Sequence, residues 1–326
     1  MRRRQFINIV LAYGAAAWPL AARAEPATIP IGYLHPGVAN QNVHLMEIFR
    51  QRLVEAGYVE GRNLTIEYRW AEGQYGRLPD LATDLVRRQV ALIVAPNTPA
   101  ALAAKAATKT IPVVFSAADD PVDLGLVAGL ARPGGNVTGV HYFNTDLGAK
   151  QLGLLREFRS SATRVGLLIN PGNGNARAVM EEVKAAASTL NMEIEVVRAT
   201  EPSEIDTAFA ELLRSRVDAL MLGADPFFFG RRQQLVTLAG RYGIPAIYNA
   251  REYAEAGGLM SYGTSLKEVY QQLALYTGRI LKGEKPSDLP VVRSTRFELV
   301  INVKTAQTLG IDIPPTLLAR ADDVIE

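Results

Sequence analysis

Cysteine is absent from the 326 residues of this chain. That excludes disulfides, thiolate metal sites, a cysteine nucleophile and a lipid-modified N-terminal cysteine. Histidine is almost as scarce. The three present, His35, His44 and His141, lie far apart in sequence and supply a histidine metal site poorly. There is no G-x-S-x-G elbow, Walker A sequence or H-E-x-x-H, and no Gly-x-Gly-x-x-Gly follows the first expected strand. Asp119-Asp120 offers adjacent carboxylates of the kind a hydrolase uses, but neighbouring side chains point apart and Asp120-Pro121 reads as a helix start. No repeat with a period of about 20–50 residues is present, which excludes a solenoid. No enzyme, cofactor or metal site is expected.

A long uninterrupted apolar run is missing too. Ile7 to Leu20 is broken by Gly14 and Pro19 and falls short of the roughly 20 residues that a membrane span needs. It follows the basic start Met1-Arg2-Arg3-Arg4-Gln5-Phe6 and precedes Ala22-Arg23-Ala24. That order reads as a secretory signal peptide over residues 1–24, cut after Ala24. Arg3-Arg4-Gln5-Phe6 also resembles a twin-arginine export signature, so both export routes stay open. The whole chain carries 35 basic and 33 acidic residues; without Arg2, Arg3, Arg4 and Arg23 the net charge falls from +2 to −2. The basic excess therefore belongs to the leader, and no nucleic-acid partner is expected. A protein exported without an anchor is expected in the periplasm as a monomer.

What the sequence does have is alternation. Hydrophobic residues make up 48%, enough for a sizeable core. From Ile29 onward a short β-branched run, a turn of Gly, Pro or Asn and an amphipathic helical stretch recur. The first series has strands at Ile29–Leu34, Leu64–Tyr68, Ala91–Ala95, Pro112–Ser116 and Val137–Val140, with a helix near Asp123–Leu130. A second series opens at Arg164–Asn170 and includes a helix over Phe228–Tyr242 and a strand over Gly258–Tyr262. Such alternation predicts an α/β fold of two Rossmann-like lobes with parallel sheets joined by a hinge. Lobe 1 is placed at 25–142, completed by about 256–288. Lobe 2 is placed at 143–255, completed by about 289–326.

In open α/β sheets ligands bind beyond the carboxyl ends of the strands. The loops there are rich in Asn, Asp, Thr, Ser and Tyr, groups that orient a small polar ligand between apolar walls. The stretch Ala91-Leu-Ile-Val-Ala-Pro-Asn-Thr-Pro-Ala100 is typical: a strand ends at Ala95, and beyond Pro96-Asn97 an alanine-rich helix starts with Thr98 as its expected N-cap and Pro99 in its first turn. Free amides at such a start, backed by the helix dipole, favour an anion. Each of these polar residues is also ordinary cap and turn chemistry. The set of loops carries more than any one member.

Several segments resemble one family. They are Gly32-Tyr33-Leu34-His35-Pro36, Glu55-Ala56-Gly57-Tyr58-Val59-Glu60-Gly61-Arg62-Asn63, Asn97-Thr98-Pro99-Ala100-Ala101, Asp120-Pro121-Val122, Arg132-Pro133-Gly134-Gly135-Asn136-Val137-Thr138-Gly139-Val140 and Leu281-Lys282-Gly283-Glu284-Lys285-Pro286. Together they are similar to the substrate-binding proteins of ABC importers of the tryptophan/tyrosine-binding-like family, over nearly the whole chain after the leader. The resemblance implies a type I periplasmic binding fold that closes on a small organic solute, an amino acid or related carboxylate, and delivers it to ABC permease subunits at the inner membrane. It implies ligand contacts at His35, Thr98, Asp120, Asn175 and Asp225. Asn97, Ser116, Phe227 and Tyr248 complete the expected ligand-binding set. Thr98 is expected to take a carboxylate and Asp225 an ammonium group, with Tyr33, Phe227 or Tyr248 flanking the apolar part. Pro226 stands where tryptophan-binding relatives carry an amide side chain. An exported hydrolase, or a receptor feeding a sensor, is the alternative function.

Overall fold

A parallel strand covered by helices on both faces has no solvent side, so it reads as a continuous apolar run. The computed structural model of the protein, which describes residues 28–142, 147–294 and 296–326, shows this in the central strands of both sheets, while the edge strands are partly exposed. The expected leader, residues 1–24, lies outside the described residues.

The first half runs β1 (Ile29–His35), α1 (Val43–Glu55), β2 (Leu64–Trp70), α2 (Leu78–Arg87), β3 (Ile93–Ala95), α3 (Thr98–Ala107), β4 (Val113–Ala117) and β5 (Val137–His141). The second runs α4 (Gly148–Phe158), β6 (Arg164–Ile169), α5 (Ala176–Thr189), β7 (Glu193–Arg198), α6 (Pro202–Arg214) and β8 (Ala219–Leu222). It continues through α7 (Pro226–Gly230), α8 (Arg232–Arg241), β9 (Ala246–Tyr248), α9 (Arg251–Glu255) and β10 (Met260–Thr264). The last part is α10 (Leu266–Leu281), β11 (Val292–Arg293), β12 (Phe297–Asn302), α11 (Val303–Thr308), α12 (Pro315–Leu318) and β13 (Asp323–Ile325).

Two sheets result. The first has the order β11-β5-β4-β3-β1-β2, parallel throughout. The second has the order β13-β12-β10-β9-β8-β6-β7, in which β12 runs antiparallel to β10 and the other pairings are parallel. Strand side chains alternate between two apolar clusters in each lobe: Leu167 and Ile169 of β6 join one, and Leu168 joins the other. Each lobe is thus a three-layer sandwich. The chain passes between them three times, after β5, after β10 and after β11.

The last two crossings differ from expectation. Met260–Thr264 pairs with β9 and β12 in the second sheet, although 256–288 was placed with lobe 1. The part of that span that packs on the first sheet begins with α10, through Val269, Leu273 and Ala274, and ends with the buried Pro286 beside β5. Conversely, Val292–Arg293 lies beyond 288 and pairs with β5 of the first sheet. Two helices also differ. Residues 123–130 form turns, because Gly125 takes φ +66° and the Pro121 carbonyl accepts from both Leu126 and Val127. The stretch 228–242 splits at Arg231, whose amide turns back to the Phe227 and Phe228 carbonyls and closes the one-turn helix α7. Among the described residues no helix is long and apolar enough to cross a membrane, and no group of three or more metal-ligating side chains occurs.

Candidate functional site

In the first sheet the winding direction reverses between β1 and β3, and in the second between β6 and β8. These are the switch points where open α/β sheets leave a crevice at the strand ends. The two crevices face each other and share one cavity, with about 640 Å3 of empty space, part of it open to solvent. Its first-lobe wall includes His35, Asn97, Thr98 and Tyr142; its second-lobe wall includes Asn173, Asn175, Asp225, Phe229 and Asn249. Tyr270 of α10 completes it.

Asn97, not Thr98, is the N-cap of α3. Its backbone is extended (φ −173°, ψ 161°), and its Oδ1 accepts from the Ala100 amide at 3.1 Å. Its Nδ2 is buried without a hydrogen-bond partner. Thr98 is the first helical residue, so its hydroxyl points elsewhere: it donates to Asp119 Oδ2 at 3.0 Å and accepts from the Ala118 amide at 3.2 Å. That ties the start of α3 to the end of β4. His35 closes β1. Its Nδ1 accepts from the Gly37 amide at 2.9 Å, which leaves the ring proton on Nε2. Burial pushes its pKa down to about 3, so the ring is neutral at physiological pH.

Asp225 is the N-cap of α7, and its carboxylate is fully engaged. Oδ1 accepts from the Phe227 and Phe228 amides at 2.9 and 3.2 Å and from Asn170 Nδ2 at 3.2 Å. Oδ2 accepts from Asn173 Nδ2 at 2.9 Å and from the Tyr75 hydroxyl at 3.0 Å. Burial raises its pKa even against these donors. The Gly172–Asn175 loop serves through Asn173 to hold this carboxylate. Asn249 presents the opposite case, because its Oδ1 is buried with no partner. Among the described residues no lysine or arginine lines the cavity, and Asp225 is the one carboxylate. Burial raises the Tyr142 and Tyr270 pKa values, so both phenols stay neutral.

Of the expected ligand residues, His35, Asn97, Thr98, Asn175 and Asp225 line this cavity. Four do not. Ser116 is buried within β4. Asp120 caps a turn by accepting from the Val122 amide at 2.7 Å and borders a wider groove beside the cavity. Phe227 and Tyr248 are corrections of another kind: both side chains pack in the second lobe's core, where Tyr248 stacks on Tyr253. Tyr33 is likewise buried, with its hydroxyl 3.2 Å from that of Tyr270. The cavity uses Phe229 and Asn249 instead. Tyr248 still belongs to β9, and the next residue is the one past the strand end; counting from there would have found Asn249. Nothing in three consecutive phenylalanines tells which faces the cleft, since the phase of a one-turn helix is set by its cap. Tyr142, on the crossing after β5, carries no sequence signal.

Comparisons with known proteins agree with this geometry. The family model described as ABC transporter substrate binding protein matches residues 42–325. A tyrosine-binding protein of Clostridioides difficile (strain R20291) is 28% identical over 262 residues, covering 80% of this chain and 75% of that one. Among solved structures, the ABC domain in complex with L-Trp from Streptococcus pneumonia is 29% identical with a TM-score of 0.82, over 92% of this chain and 100% of that one. The ligand-free, open structure of a substrate binding protein with adhesive properties from Clostridium difficile is 26% identical with a TM-score of 0.63, over 92% and 99%. Two mostly parallel sheets facing across a cavity, with a family match over most of the sequence, make the assignment: this chain belongs to the family of ABC transporter substrate binding proteins, which bind solutes and are not enzymes.

Proposed function

We propose that this protein is the periplasmic solute receptor of an ABC importer, working as a monomer, and that it captures a zwitterionic amino acid with an aromatic side chain. The observation that carries the reading is the pair of unpaired buried groups on opposite lobes, the Asn97 Nδ2 donor and the Asn249 Oδ1 acceptor. A buried polar atom without a partner costs about 1–3 kcal/mol, so its retention calls for a ligand group that completes it. A carboxylate suits the donor, beside the amides that open α3, and an ammonium group suits the acceptor. With no basic side chain among the described residues of the lining, a net anion would stay uncompensated there; a zwitterion is neutral overall. Tyr142, Phe229 and Tyr270 suit an aromatic ring.

Asp225 keeps its expected place in the wall, but as the group that fixes α7 and Asn173, leaving the ammonium to Asn249. Relatives described as binding tyrosine and L-Trp support the ligand class. The higher TM-score to the Trp complex than to the open structure, at nearly equal identity, supports a closed arrangement of the lobes here. Closure and binding are then one event, because each lobe supplies half of the polar contacts.

Calorimetry on residues 25–326 with L-tryptophan, L-tyrosine and L-glutamate tests this. The aromatic pair should bind and glutamate should not. Asn249→Ala should weaken binding about 10- to 150-fold, the worth of a hydrogen bond to a charged group, and leave the melting temperature unchanged. Wild-type affinity in that variant would remove Asn249 from the site.

A further inference from the structure

Tyr75 sits outside the cavity, on the single-turn 3-10 helix Tyr75–Arg77 between β2 and α2 of the first lobe. Its ring nevertheless packs against apolar clusters of both lobes. Its hydroxyl crosses to the second lobe, donating to Asp225 Oδ2 at 3.0 Å and accepting from the Phe227 amide at 3.1 Å. The same carboxylate oxygen also accepts from Asn173, a cavity residue. A first-lobe side chain is therefore a member of the second lobe's cap, and it can be so only while the lobes are together.

We infer that Tyr75 is an interlobe latch. It is a positioning residue that stabilises the closed arrangement without touching the solute, so it strengthens the binding of every solute by one common factor. Opening the cleft breaks an O–H···carboxylate bond and uncovers a phenol ring and a carboxylate together, which holds the solute in. Nothing in the latch reads the solute. Its removal lowers affinity through the dissociation rate and leaves selectivity alone. The affinity side of this inference rests on the amino-acid reading above; the geometric side does not.

Tyr75→Phe is the test, because it deletes only the hydroxyl, and circular dichroism establishes that the variant folds. In stopped-flow and calorimetric titrations, L-tryptophan and L-tyrosine should both lose affinity by the same factor, on the order of 10-fold, carried by faster dissociation. Unchanged affinities, or a loss confined to one amino acid, would overturn the latch. A second arm needs no solute. The chain lacks cysteine, so Lys109→Cys on the first lobe and Lys184→Cys on the second, both exposed, take spin labels at those two places alone. Distance distributions should show less of the short, closed separation with Tyr75→Phe than with Tyr75. Identical distributions overturn the latch. If neither amino acid binds the wild type while the distributions differ, the amino-acid reading fails and the latch stands.

Discussion

Asn97 follows β3 in the first lobe, and Asp225 follows β8 in the second, at the corresponding strand ends. Both cap the helix that comes next, and both line the cavity. The difference is what remains after capping. Asn97 spends one oxygen on Ala100 and keeps a free amide donor. The Asp225 carboxylate accepts from five donors, Tyr75, Asn170, Asn173, Phe227 and Phe228. The lesson is that the charged residue of a binding wall need not be the one that recognises charge. A buried carboxylate has to be satisfied before it can be tolerated, and in this lobe the satisfaction is internal. Neutral amides, cheaper to bury, are left with valences to offer.

The largest test of the equivalence between lobes lies in two glycines. Gly139 lies on β5 and Gly263 on β10, strands that hold matching places in the two sheets. A Cβ at Gly139 would overlap the Phe115 carbonyl oxygen, and one at Gly263 would overlap that of Asn249. Backbone cannot rotate away as a side chain can. Gly139→Ala and Gly263→Ala should therefore each cost about 3 kcal/mol or more of stability in urea unfolding. Gly263→Ala should also move Asn249 and weaken binding. If one alanine is tolerated and the other is not, the two lobes are less alike than their strand order implies.

Next comes the same chemical exchange made in opposite directions. Asp225→Asn turns one acceptor into a donor facing Asn170, Asn173 or Tyr75, and should cost about 2–4 kcal/mol. Asn97→Asp keeps the cap, since Asp serves as well as Asn there, and should change stability by less than about 1 kcal/mol. It sets a negative charge where the solute carboxylate is proposed to lie, so its loss should appear in affinity instead. Melting curves and titrations of the two variants separate the roles. An Asp225→Asn protein as stable as the wild type would show that the five donors do not need the carboxylate.

How much of this the sequence displayed depends on the kind of element. Parallel strands buried on both faces announce themselves, so β4, β5 and β6 fall within one residue of their expected bounds. The cap of α3 lies one residue earlier than expected, at Asn97 instead of Thr98, and that shift leaves the free donor on Asn97 while the Thr98 hydroxyl is spent on Asp119 and Ala118. The last two crossings lie elsewhere than expected because no composition marks a segment that changes sheets. Phe227 and Tyr248 were misplaced because an aromatic residue near a strand end serves the core as readily as the cleft. The free valences of Asn97 and Asn249 exist only in three dimensions.

The smallest effect concerns His35 and Asp225, two cavity groups that burial drives in opposite senses. His35 is pushed down to about 3, while Asp225 is raised; each is shifted toward its neutral form. For His35 the unfolded chain binds a proton near pH 6.5 and the folded chain only near pH 3. Its neutral ring therefore costs no stability above about pH 6.5, and stability falls by up to about 1.4 kcal/mol per unit as pH drops from there toward 3. Asp225 works the other way, since a raised carboxyl favours the folded state more at low pH than at high. His35→Asn keeps an acceptor for the Gly37 amide and removes the titration. Between pH 7 and pH 5 the wild type should lose about 2 kcal/mol more than this variant in urea unfolding. Equal losses would mean that His35 takes up its proton in the folded protein, and that the first-lobe wall, neutral at pH 7, becomes cationic in mild acid.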